Sequence, residues 1–333
     1  MRFFFLDRFN FNFFFQRVKN LNKTNLAFIY NLNLDPITFD FGHFLIEAEL
    51  FRKKKKLKKI DVYIVKNNKA VPARMLKFIE RHSRNELKNR TYEIILPITR
   101  LLDSVGSTMI LEHDLFLKKN LKKEYKFIFP ENHNSLYLKP LQTKLINAKS
   151  QEYYPMFQPE KRSIEIVKKY LSGIKKKIVT ITLRDNNYIK YRNSNLNEWI
   201  KFARYLKQNS YEVIFIPDGL NFSLKFKEKL KNFIIAEIVI WNLSLRSALY
   251  ELSYINCCVD SGPFHICSFQ NNKAKSLALI DFDNYEKNYR ETLLKNFGKQ
   301  DEYSYVTKNQ KIVFKKDNFY NLKKEFENFV KKI

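Results

Sequence analysis

The segment Cys258-Val-Asp-Ser-Gly-Pro-Phe-His-Ile-Cys267 gathers a carboxylate, a hydroxyl, a glycine and a histidine into one turn between two apolar runs. Pro263 suits the first turn of a helix, where its missing N–H leaves no bond unmade. Gly262 permits close approach of another group, and the N–H groups of Phe264 and His265 are expected to be free at the helix start, as an anion site. Ser261 adds a hydroxyl donor. His265 can donate to a phosphate oxygen or, when charged, compensate it. This chemistry fits the grip on a diphosphate; the plainer reading is a strand-to-helix turn with a capping serine and a core histidine.

Other groups point the same way. Arg184, Lys190 and Arg192 follow the β-branched run Lys177–Leu183. Arginine can hold two phosphate oxygens at once and lysine acts as a point charge, although three cations in a lysine-rich chain need no purpose. Gly42-His43 precedes another helical pattern, and a histidine with its ordinary pKa of ~6.5 can take a proton from a hydroxyl or simply cap the helix. No metal is expected: Asp281-Phe282-Asp283 has a ligand-like spacing but follows directly on a strand. Cys257, Cys258 and Cys267 lack the paired spacing of a disulfide framework or a zinc site, which suits a reducing, cytoplasmic setting.

The elements that must position these groups alternate. Lys177–Leu183, Tyr211–Ile216, Asn256–Val259 and Leu277–Ile280 read as strands. Leu196–Lys207, Phe226–Phe233 leading to Glu237–Ile240, Leu245–Tyr254 and a closing Leu322–Val330 supply the helical patterns. In the first half, an aromatic leader (1–36) is followed by a predicted strand Ile37–Phe41, a helix Phe44–Leu57 and strands Ile60–Val65, Tyr92–Pro97 and Tyr125–Pro130. Strand, helix and strand in succession imply parallel sheets. The stretch from Asn132 to Pro159 loses its period and reads as a linker, which places domains at 37–160 and 161–333. With 333 residues the chain exceeds one core. The expected architecture is α/β, two Rossmann-like parallel-sheet domains facing a cleft that holds the site.

Asp260-Ser261-Gly262-x-x-His265, within Leu245–Ile280, resembles the C-terminal motif of the heptosyltransferase-like family nine glycosyltransferases, of GT-B architecture. Ile181-Thr-Leu-Arg184, Lys190-Tyr-Arg192 and the helix around Trp199 are similar to the family segment whose basic residues meet the donor's phosphates. Phe41-Gly42-His43 resembles the glycine loop that faces the acceptor, with His43 where members using a carboxylate base show aspartate. The resemblance runs from 37 to 285. It implies an inverting, metal-independent transfer, without a cofactor, from a nucleotide sugar to a bacterial surface glycan or lipid-linked acceptor, as in lipopolysaccharide biosynthesis. It also implies that Arg184, Lys190, Arg192, Asp260, Ser261, Gly262 and His265 bind the donor, that Gly42 lies on the acceptor-side loop, and that His43 is the catalytic base.

Composition leaves other classes open. A formal charge of +27 and the run Arg52–Lys59 suit an anionic acceptor or the inner face of a membrane, while the abundance of Lys, Asn, Phe and Ile also matches AT-rich codon usage. No zinc-finger, RNP or zipper pattern points to specific nucleic acid. Met1–Leu6 is apolar, but Asp7 and Arg8 break it well short of the ~20 residues of a span, so neither a signal peptide nor a transmembrane helix is expected. A catalytically empty nucleotide-binding protein of the same fold, or a basic protein that binds polyanions or membrane surfaces, shares these features.

Overall fold

The computed structural model describes residues 24–66, 83–111, 121–131, 157–186, 190–217, 224–270, 274–285, 287, 290–291 and 309–333. They fall into two compact units, one drawn from the chain up to Pro36, Phe44–His82 and Asp103–Lys139, the other from Ile37–His43, Ser83–Leu102 and Pro140–Ile333.

The first unit holds a four-stranded sheet in the order β3-β2-β1-β4, with β1 Leu26–Asn31, β2 Ile60–Val65, β3 Val105–Leu111 and β4 Phe127–Phe129. All pairings are parallel. Every residue of β2 is buried, as expected of a central parallel strand covered on both faces. β1 lies inside the segment read as a leader; residues 1–23 of that segment, and 132–156 of the linker, lie outside the described residues.

Helix α1 (Phe41–Lys54) carries the basic run at its C-terminal end. Leu57 N–H donates to the Arg52 carbonyl and Lys56 N–H to that of Lys53, with Lys56 left-handed at φ 54°, which is a Schellman ending. Arg52 pairs with Glu49 and donates to the Leu57 carbonyl, so it satisfies the helix end while cations there oppose the dipole favourably. The crowding of like charge therefore has a local cause, although Lys54, Lys55, Lys56, Lys58 and Lys59 remain exposed.

The second unit holds a six-stranded parallel sheet in the order β10-β9-β8-β5-β6-β7. Its strands are β5 Lys177–Leu183, β6 Tyr211–Pro217, β7 Ile234–Ile235, β8 Ile255–Val259, β9 Ser276–Leu279 and β10 Gln310–Val313. Helix α2 (Leu196–Gln208) buries Trp199, Phe202 and Leu206 in a core shared with β5, β6 and the closing helix α3 (Phe319–Val330). Both sheets are all-parallel, so the expectation of two Rossmann-like domains holds.

Two predicted strands are not strands. Ile37–Asp40 form turns in which Phe41, Gly42 and His43 N–H groups donate three residues back to Thr38, Phe39 and Asp40, winding directly into α1. Tyr92–Pro97 is helical: Ser83 and Glu86 form a capping box, a π-helical turn spans Thr91–Ile95, and Leu96–Thr99 continues as α-helix. The stretch Glu237–Ile240 runs into a short helix, Ile238–Trp241. Among the described residues no helix is long and apolar enough to cross a membrane.

Candidate active site

The site is built in the second unit, at the C-terminal ends of β5 and β8, where open parallel sheets present their ligand edge. β8 ends at Val259; Asp260 and Ser261 follow, and helix α4 (Gly262–Phe269) begins. Asp260 is buried and receives three contacts. Arg192 Nη2 lies 2.8 Å from Oδ2 and 3.1 Å from the main-chain oxygen, and Tyr285 donates its hydroxyl to Oδ2 at 2.7 Å. Burial alone would raise this carboxyl, but Arg192, then His265, the Tyr285 hydroxyl and Arg184 outweigh it and hold it below the ordinary value. Asp260 is therefore ionised and engaged, which makes it an organiser of cations at the strand end.

Arg184 is buried just beyond β5, its N–H donating to the Ser194 hydroxyl at 2.9 Å. Lys190 and Arg192 sit on one 3₁₀ turn, Lys190–Arg192. Lys190, Tyr191, Arg192, Asp260, Tyr285 and Lys316 are among the residues lining a cavity of about 250 Å³. Tyr191 and Tyr285 meet edge-to-face across 5.3 Å. The hydroxyl of Ser261 is fully buried and has no hydrogen-bond partner among the described residues.

The start of α4 differs from expectation in two respects. Phe264 N–H is not free: it donates to the Ser261 carbonyl at 3.1 Å, tightening the first turn. Gly262 is approached closely by Phe39, whose ring carbon would lie 2.3 Å from a Cβ built there, so in this structure the glycine accommodates an aromatic side chain. Gly42 lies within the first turn of α1, with the Phe157 ring 3.4 Å from where its Cβ would be.

His43 and His265, 222 positions apart in sequence, meet with Nε2 and Nδ1 at 3.0 Å. The His43 ring is edge-on to both His265 and Phe269, at 4.5 and 4.6 Å between centroids. Burial pushes His43 well below the ordinary histidine value, and His265 adds to this. His265 is lowered too, chiefly by burial, with Arg192 in the same sense and Asp40 and Asp260 opposing. Both rings are thus neutral near pH 7. Asp40 joins them: one ligand atom from each of Asp40, His43 and His265 lies within 4.8 Å of the others, the one such trio among the described residues that could converge on a metal ion. Asp281 and Asp283 form no such group there. A single proton between the two ring nitrogens also accounts for their 3.0 Å approach.

Asp40 and Tyr285 were not identified from sequence. The Thr38-x-Asp40 turn just ahead of a helix, and the position of Tyr285 shortly after β9, are the signals that bear on them. The cysteines are unpaired and buried; burial raises all three thiols, Cys267 to about 12, so they stay protonated.

No protein-family model matches the chain, and no curated protein does. Solved structures do. An Escherichia coli ADP-heptose lipopolysaccharide heptosyltransferase II superposes with a TM-score of 0.50 at 9% identity, over 92% of this chain and 99% of that one. This is the GT-B fold. A family 9 glycosyltransferase from Veillonella parvula follows at 0.48 and 11% identity, covering 94% and 99%. An E. coli heptosyltransferase with ADP gives 0.41 at 9%, covering 92% and 98%.

Proposed function

We propose that this GT-B chain is a glycosyltransferase of the heptosyltransferase-like type, which transfers a sugar from a nucleotide-sugar donor to a bacterial surface glycan or lipid-linked acceptor. The observation that carries the reading is the group at the end of β8. An ionised, buried Asp260 draws Arg192 and the field of Arg184 to a strand end where the Ser261 hydroxyl has no partner among the described residues, beside a cavity bordered by Lys190. Cations and a donor hydroxyl fixed in advance at one place suit the negative charge that develops on a departing diphosphate. The fold shared with an ADP-heptose heptosyltransferase supports a donor of that class. Within the Asp40–His43–His265 trio, the Asp40 carboxylate is the group that takes the acceptor's proton.

The transfer inverts the anomeric carbon and needs no divalent ion, since arginine and lysine stand where a metal would otherwise offset the phosphates. The exposed lysines at the end of α1 hold the protein, cytoplasmic, against an anionic membrane face. One assay covers these points: sugar transfer from nucleotide-sugar donors to lipid-linked acceptor in anionic vesicles, in EDTA, with the product anomer read by NMR. We expect turnover undiminished by EDTA, an inverted product and loss of rate at high salt. Abolition by EDTA, restored by added metal, would instead make the trio a metal site; a retained anomer would exclude the inverting route.

A further inference from the structure

The contact between the two histidines has a directional consequence. Nitrogens at 3.0 Å need one proton between them, because two lone pairs or two N–H groups facing each other repel. If His265 Nδ1 carried that proton, neutral His43 would carry its own on Nδ1. That atom is buried and has no hydrogen-bond partner among the described residues, so it would be a stranded donor there. If His43 Nε2 carries the shared proton, Nδ1 is a bare lone pair. Buried N–H groups without acceptors are rarer than under-satisfied acceptors, so the second arrangement has the lower cost. The His43 ring packs edge-on against His265 on one side and Phe269 on the other.

We propose that His43 is a positioning residue: its Nε2–H donates to His265 Nδ1 and locks His265 in the tautomer that presents an Nε2–H to the site. The neutrality of both rings, already noted, is the condition under which each carries one proton. Asp40 and Asp260, the carboxylates whose charge acts on His265, favour an N–H on that ring, and Arg192 is the cation that acts on it. A fixed N–H selects an oxygen acceptor such as a phosphate oxygen and cannot itself remove a proton. In the intact pair, His43 acts through His265 and does not meet the acceptor hydroxyl. The ligand named here rests on the donor-site reading above; the tautomer does not.

The test uses the full chain labelled with ¹⁵N-histidine and free of ligand, with long-range ¹⁵N–¹H correlation of the imidazoles. His265 is expected to show the Nε2–H pattern in the unsubstituted protein. It should lose it as the sole form in His43→Phe, which keeps a ring without the donor, and regain it in His43→Gln, which returns an N–H near the same place. Titration of the three proteins with ADP and UDP should then show roughly tenfold weaker binding in His43→Phe and recovery in His43→Gln. An Nδ1–H pattern in the unsubstituted protein overturns the proposal, even if the variants do not fold. So does an unchanged pattern in His43→Phe. The expected tautomers without binding of either nucleotide support the positioning role and count against the donor site.

Discussion

At the scale of single residues, the site depends on charges and protons held by burial. His43 and His265 are kept neutral, so their folded pKa values lie below the unfolded ones. Between those values the unfolded chain binds more protons than the folded one, and stability falls as pH drops. The contribution is complete above about pH 6.5 and is lost progressively below it. Urea unfolding from about pH 8 to 5 should therefore show a falling midpoint, less steep in His43→Gln, which removes one of the two titrating groups. Asp40, Asp260 and Arg192 act on the same pair and remain in both proteins. An equally steep fall in the variant would show that the histidines are not its source. The sequence made the donor-side residues visible because Asp260-Ser261-Gly262-x-x-His265 is contiguous. It hid Asp40, and it hid the fact that His43 faces His265, because that contact spans 222 positions.

At the scale of elements, the placement of α2 depends on Asp317, whose Oδ2 accepts from Asn195 N–H at 2.8 Å and from the buried Trp199 Nε1–H at 2.7 Å. Both donors precede or begin α2, which follows the Lys190–Arg192 turn. Asp317→Ala strands two donors, one of them buried, and should cost about 2–3 kcal/mol by chemical denaturation. A loss below about 0.5 kcal/mol, the usual limit for an uninvolved surface site, would show that the turn is held by other means. The β-branched strands of the second unit were legible because buried parallel strands read as continuous apolar runs. Tyr92–Pro97 was misread on the same criterion. Yet Thr91, Ile94, Ile95, Ile98 and Thr99 are all buried, at helical spacing, behind a Ser83-x-x-Glu86 capping box. Apolar content and a terminal proline outweighed that period, and Pro97 lies just after the π-helical turn, where a missing N–H is tolerated. β1 escaped notice because its run Leu26–Tyr30 sits among aromatic residues with no break in composition.

At the scale of the whole molecule, two parallel sheets give the GT-B fold, and the second supplies the cations and hydroxyl on which the proposed chemistry rests. The excess of positive charge is partly accounted for by the end of α1, where Arg52 closes its helix. The fold admits many chemistries, and the assignment of this one stands on the site. The most direct test is a thermal-shift series of the purified chain without metal, against UDP, GDP, ADP and CMP and their sugars, repeated on Ser261→Ala and His265→Ala. A ligand that binds only the folded state raises the midpoint with concentration. We expect one nucleotide class to do so in EDTA, with the shift reduced or lost in both variants. No shift with any nucleotide, or a shift that survives both substitutions, would contradict a donor site at the end of β8.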